Sequence, residues 1–139
     1  MKILANDGIS NAGIEALEAA GFSVETTNVA QEQLIAYIND NDITVLLVRS
    51  ATTARQELID ACPNLKIIGR GGVGMDNIDV DYARGKGLHV INTPAASSAS
   101  VAELVFAHLY GGVRFLHDAN RNMPLEGESN FKGLKKAYA

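Results

Sequence analysis

The segment "GRGGVG" at 69–74 has the G-x-G-x-x-G spacing that, in a dinucleotide-binding fold, lets the backbone approach a pyrophosphate. Such a cradle needs a strand before it, a helix whose N-terminus opens inside the glycines, and an acidic residue about 20 positions on for the ribose. Only the strand is in place. "MDNID" separates Gly74 from the next helical pattern, which starts at Asp79, and the following strand ends in Asn92 and Thr93 where the acid should stand. Two other uses stay open for the loop: a tight exit from its strand, or a nest of successive N–H groups that holds a small anion. Arg49, at the end of "VLLVR", and Arg70, at the end of "KIIGR", bring two guanidinium groups to the same region, each suited to a forked grip on carboxylate or phosphate. The plainer alternative for either is a solvated rim position or an ion pair with a carboxylate such as Asp76.

The elements that must position these residues are legible as a repeat. Short apolar runs at 2–7, 22–27, 44–50, 65–70 and 88–93 alternate with helical patterns at 10–21, 30–41, 53–63 and 79–87. That alternation predicts βαβ units and a five-stranded parallel sheet of order 2-1-3-4-5 with helices on both faces. "VLLV" is apolar on both sides, as a central strand should be, whereas "FSVETT" alternates like a more exposed one. Ser10 and Gly21 are placed to open and close the first helix, Thr53 with Gln56 reads as a capping box, Pro63 stops the third helix and Gly85 or Gly87 the fourth. In such a sheet, ligands bind beyond the carboxyl ends of the strands, where Arg49 and Arg70 both fall. A long periodic segment follows at 97–123, with Ser100 and Glu103 as a second capping box, and 124–139 loses periodicity and reads as a linker toward a further domain.

With "VRSATT" (48–53), "GRGGVGMDNIDVDYA" (69–83) and "INTPAASSASVAELV" (91–105) in view, the chain resembles the NAD-dependent D-2-hydroxyacid dehydrogenases along its whole length. Within them it is most similar to the branch that oxidises 3-phospho-D-glycerate to 3-phosphohydroxypyruvate with NAD, in serine biosynthesis. The resemblance implies a flavodoxin-like substrate-binding domain at 1–99, then a crossing helix and linker at 100–139 that lead into an NAD-binding domain. It implies that Gly72, Val73 and Gly74 hold the substrate carboxylate through backbone amides. Arg49 with Ser50 would face the substrate phosphate, and Arg70 would be a second cation there, with a reach across a dimer. Val73, Thr93 and Ser97 would lie toward the cofactor; for Ser97 and Ser100 a helix-capping role is the competing expectation. The family's catalytic Arg, Glu and His belong to the nucleotide-binding domain, so no catalytic residue is assigned here, and the 139-residue chain alone is expected to be inactive. His89, His108 and His117 are read as structural or solvent-facing.

Composition narrows the partners. A formal charge of −4 without a block of like charges argues against nucleic acid and anionic membranes, leaving a small phosphorylated hydroxyacid as the expected ligand. No signal-like start and no apolar run near the roughly 20 residues of a membrane span occur, which points to a soluble, cytoplasmic protein. The single Cys62 excludes an internal disulfide, and no metal site is expected. The apolar stripe Val105, Leu109, Val113 and Leu116 must pack, self-associate or swap, so a homo-oligomer is expected. Two other functions fit the same residues: a stand-alone module that senses an anionic metabolite, and a non-catalytic oligomerisation fragment.

Overall fold

The computed structural model describes residues 1–138. Strands β1 (Lys2–Ala5), β2 (Ser23–Glu25), β3 (Val45–Val48), β4 (Ile67–Arg70) and β5 (His89–Asn92) pair in parallel in the order β2-β1-β3-β4-β5. This is the expected flavodoxin-like order. Each strand is shorter than the apolar run that announced it, because the flanking residues leave the ladder for turns. The connections are α1 (Asn11–Ala19), α2 (Gln31–Asp40), α3 (Gln56–Ala61) and α4 (Val80–Gly85). The step from β1 to β2 runs one way along the sheet and every later step the other way. Right-handed crossovers therefore place α1 on one face and α2 to α4 on the opposite one.

The main core lies under α2 to α4. Leu4, Leu46, Val48, Ile68 and Val90 from the sheet meet Leu34, Ile38, Leu58, Ile59 and Ala83 from the helices, all buried. Cys62 belongs to this core, and burial pushes its thiol up to about 11, so it stays a small apolar side chain at neutral pH. On the α1 face, in contrast, Ile91 remains 57% exposed and α1 itself buries no residue fully.

Helix ends follow local chemistry in some places and distant chemistry in others. Ser10 caps α1 by accepting from the Gly13 N–H at 3.2 Å, and Gly21 and Gly87 take the left-handed conformations that end α1 and α4, with φ of +86° and +87°. The Thr53–Gln56 capping box does not form. The helix starts at Gln56, whose N–H donates 3.0 Å to Asp79 Oδ2, a carboxylate from the next crossover. Asp79 also pairs with Arg55 at 2.9 Å, and it stands at the N-cap position of α4, so one side chain ties two helix starts together.

A second compact unit begins at Ser97. The single long helix expected at 97–123 is two helices, α5 (Ser98–Val113) and α6 (Leu116–Tyr138), parted where Phe115 turns left-handed at φ +51° just after Gly111 and Gly112. Ser97 precedes α5 without a side-chain cap bond and Ser100 lies inside its first turn, so the Ser100–Glu103 box does not form either. Residues 124–138, expected to be an irregular linker, are helical despite Pro124; Asp118 in the first turn and Lys135 and Lys136 in the last suit the helix dipole. The helix bends at Asn130, which returns Tyr138 to Asn122 (2.5 Å) and to the Phe115 ring (6.3 Å between centroids). Val105, Leu109 and Val113 are exposed on α5, and the stripe breaks before Leu116. Among the described residues, no helix is long and apolar enough to cross a membrane.

Asp79→Ala should destabilise the fold by about 1–2 kcal/mol, since it removes the α3 cap together with the Arg55 pair. Urea unfolding checks this; a loss below about 0.5 kcal/mol would mean that the capping of α3 by a distant residue contributes little.

Candidate functional site

The site grows from the carboxyl end of β1, where the apolar run "KILA" gives way to Asn6 and Asp7. Asp7 faces the turn that leaves β3. Its Oδ2 accepts from the backbone N–H of Arg49 at 2.6 Å and of Thr52 at 3.1 Å, and its Oδ1 accepts from Thr52 Oγ1 at 2.5 Å. Asn6 backs this arrangement: its Nδ2 donates to Thr52 Oγ1 and to the Val29 carbonyl, and its Oδ1 accepts from the Val29 N–H. Burial of the Asp7 carboxylate works to raise its pKa, but the donors from Thr52, Arg49 and Ala51 outweigh that and hold it below the ordinary 3.8.

The carbonyl side of the same turn is gripped from the loop after β4. Asn77 Nδ2 donates to the carbonyls of Arg49 at 3.0 Å and Thr52 at 2.7 Å, and Arg70 Nε donates to the Arg49 carbonyl at 3.2 Å. Beyond the turn, Ala54 and Asn77, then Asp79 and Ala54, exchange backbone bonds of 2.9 and 3.0 Å. The loops after β3 and β4 are thus one laced body. Neither Arg49 nor Arg70 joins an ion pair among the described residues, so the alternative of a pairing with Asp76 is not formed.

The glycines of "GRGGVG" serve space rather than unusual backbone angles. A methyl group added at Gly72 would collide with the Arg70 guanidinium, and one at Gly71 would touch the stem of Arg49 at 3.5 Å. Both arginine side chains therefore lie against the glycine loop, Arg70 from within it and Arg49 from the end of β3. A helix N-terminus does not open within the glycines: α4 begins only at Val80, and β5 ends at Asn92 with Thr93 next, so no acidic residue stands there. The loop does not fit a dinucleotide pyrophosphate.

A cleft of about 690 Å³ opens at these strand ends, between Asp7, Ile9, Arg49, Arg70, Ile91 and Thr93. It brings Arg49, Arg70 and Thr93 together. Ser50, Val73 and Gly74 are exposed on the neighbouring loops and, with Gly72, stand outside its lining; Val73 is 51% exposed. Ser97 belongs to the second unit. Sequence reasoning missed Asp7, Asn77 and the structural use of Arg70. Asp7 could have been found as a carboxylate that ends an apolar strand next to the strand carrying Arg49.

Residues 3–130 match the family model for the D-isomer specific 2-hydroxyacid dehydrogenase catalytic domain. The chain is 40% identical over 138 residues to D-3-phosphoglycerate dehydrogenase of Methanocaldococcus jannaschii, covering 97% of this chain and 26% of the relative. It is 42% identical over 112 residues to hydroxypyruvate reductase of Thermotoga maritima, covering 81% and 36%. Among solved structures, the NAD+-bound 3-phosphoglycerate dehydrogenase of Entamoeba histolytica superposes with a TM-score of 0.67 at 32% identity, over 82% of this chain and 39% of that one. The chain belongs to the D-2-hydroxyacid dehydrogenase family, an oxidoreductase family, and it spans roughly a quarter to a third of the length of these curated relatives.

Since the folded pKa of Asp7 is depressed, the stability it contributes is whole above the unfolded value near 3.8 and is lost as pH falls through the folded value. The melting-temperature gap between wild type and Asp7→Asn should be largest above about pH 5 and should close toward about pH 2. A gap that ignores pH would show that the carboxylate charge is not what holds the turn.

Proposed function

We propose that this chain is the substrate-binding portion of an NAD-dependent D-3-phosphoglycerate dehydrogenase, which oxidises 3-phospho-D-glycerate to 3-phosphohydroxypyruvate for serine biosynthesis. The observation that carries this reading is the pair of arginines without ion-pair partners at adjacent strand ends, next to a loop whose Val73 and Gly74 N–H groups donate to no acceptor among the described residues. A substrate with a carboxylate at one end and a phosphate at the other matches that division: amides for the carboxylate, Arg49 with Ser50 for the phosphate. Arg70, committed through Nε to the Arg49 carbonyl, contributes its remaining N–H groups from the side.

These residues orient; they do not make or break bonds. The nicotinamide supplies the hydride acceptor, and the acid–base residues that serve it reside in the nucleotide-binding part of the relatives, so the chain alone is inactive in this reading. Val73, exposed and apolar, is the group that would meet the nicotinamide end in this reading, and Thr93, at the cleft, and Ser97 are further cofactor contacts. The protein works as a homo-oligomer in the cytoplasm under this proposal. The similarity to a hydroxypyruvate reductase favours a second reading, a three-carbon hydroxyacid without phosphate.

Calorimetric titration of the chain with 3-phosphoglycerate and with D-glycerate separates the two. Arg49→Ala should weaken 3-phosphoglycerate binding by about tenfold or more while sparing D-glycerate. Equal losses for both ligands would sink the phosphate role of Arg49, and tighter wild-type binding of D-glycerate would support the second reading.

A further inference from the structure

Asn92, the last residue of β5, makes a short bond across to the glycine loop. Asn92 Nδ2 donates 2.7 Å to the Val73 carbonyl, and the adjacent backbone N–H of Thr93 donates 3.1 Å to the Gly72 carbonyl. Two consecutive carbonyls of the loop are therefore drawn toward the end of β5. In a planar trans peptide the C=O and the N–H of the same unit point in opposite directions. The Gly72 carbonyl shares its peptide with the Val73 N–H, and the Val73 carbonyl shares its peptide with the Gly74 N–H. Holding both carbonyls to β5 turns both N–H groups away from it, side by side. By contrast, Gly71 and Gly72 spend their N–H groups inside the protein, on the carbonyls of Val48 at 2.9 Å and Arg70 at 3.0 Å.

We propose that Asn92 is a positioning residue for the anion nest of the glycine loop: its side-chain amide fixes the Val73–Gly74 peptide so that the Val73 and Gly74 N–H groups are presented together to a carboxylate. This rests on the substrate reading above for the identity of the anion, but not for the geometry of the nest. A side chain that only packs could not do this, because the loop carbonyl requires a donor. Asparagine supplies one without adding charge beside the anion, whereas aspartate would set a carboxylate against a carbonyl and next to the ligand. The division of labour also predicts selectivity: Asn92 acts on the carboxylate end of the ligand, while the phosphate end is left to Arg49.

Two measurements on the 139-residue chain test this. In the ligand-free state, nitrogen-15 relaxation should give Val73 and Gly74 order parameters near the rigid value of about 0.85 in wild type, falling below about 0.6 in Asn92→Ala. Loop amides that stay equally rigid in the variant overturn the proposal, whichever anion the protein takes. In titrations, Asn92→Ala should weaken 3-phosphoglycerate by roughly tenfold and leave inorganic phosphate unchanged, and Asn92→Asp should weaken 3-phosphoglycerate further. Equal loss of both ligands, with a matching fall in melting temperature, would mean general damage and would also overturn it. Wild type that binds neither ligand, with the relaxation result as expected, would reject the substrate reading and keep the positioning role.

Discussion

The turn at residues 49–52 is gripped on both of its polar sides, and the whole candidate site takes its place from that grip. Asp7 collects the N–H groups of Arg49 and Thr52, while Asn77 collects their carbonyls. A strand-to-helix connection in an α/β sheet is ordinarily free to drift. Here four backbone groups are satisfied by two side chains from two other crossovers. That leaves the Arg49 side chain as the free variable at the end of β3, and it ties the loop carrying "GRGGVG" to the same frame through Asn77 and Arg70.

Such an arrangement suits a site whose ligand supplies the missing charge. Asp7 lines the same cleft as Arg49 and Arg70, but its oxygens are already taken up by amide and hydroxyl donors. The arginines are not neutralised by it, nor by any ion pair among the described residues. In a chain of formal charge −4 this is a local reversal of sign, and it favours small anions over long acidic polymers. The glycine loop adds uncharged donors. Gly72 is small because the Arg70 guanidinium rests on it, so the motif's spacing reflects packing around an arginine rather than room for a pyrophosphate.

The order of the sheet was legible because each crossover carries both its periodicity and its stop signals: the apolar runs, Ser10, Gly21 and Gly87 all acted as local chemistry requires. What escaped was non-local. Thr53 and Gln56 have the letters of a capping box, yet Asp79 reaches α3 from the following crossover and replaces it. Asp7 and Asn77 look like loop polars in one dimension, and only the β1–β3–β4 adjacency makes them partners of one turn. The C-terminal stretch was misjudged for a different reason: Pro124 and the glycines read as breakers, but the surrounding Leu, Ala, Arg, Met and Glu carry the helix through to a bend at Asn130. Arg49, Arg70 and Thr93 line the cleft, while Ser50 and residues 72–74 stand outside its lining on the loops after β3 and β4.

The central claim is that this loop and Arg49 together hold a small two-headed anion, and not a nucleotide. An NMR titration of the nitrogen-15-labelled chain with 3-phosphoglycerate, and separately with ADP-ribose, tests it most directly. The account predicts that the Val73 and Gly74 amides and the Arg49 Nε–H shift together and saturate with 3-phosphoglycerate, while ADP-ribose leaves them in place. Shifts of Val73 and Gly74 with ADP-ribose and none with 3-phosphoglycerate would contradict it and return the motif to the role that its spacing advertises.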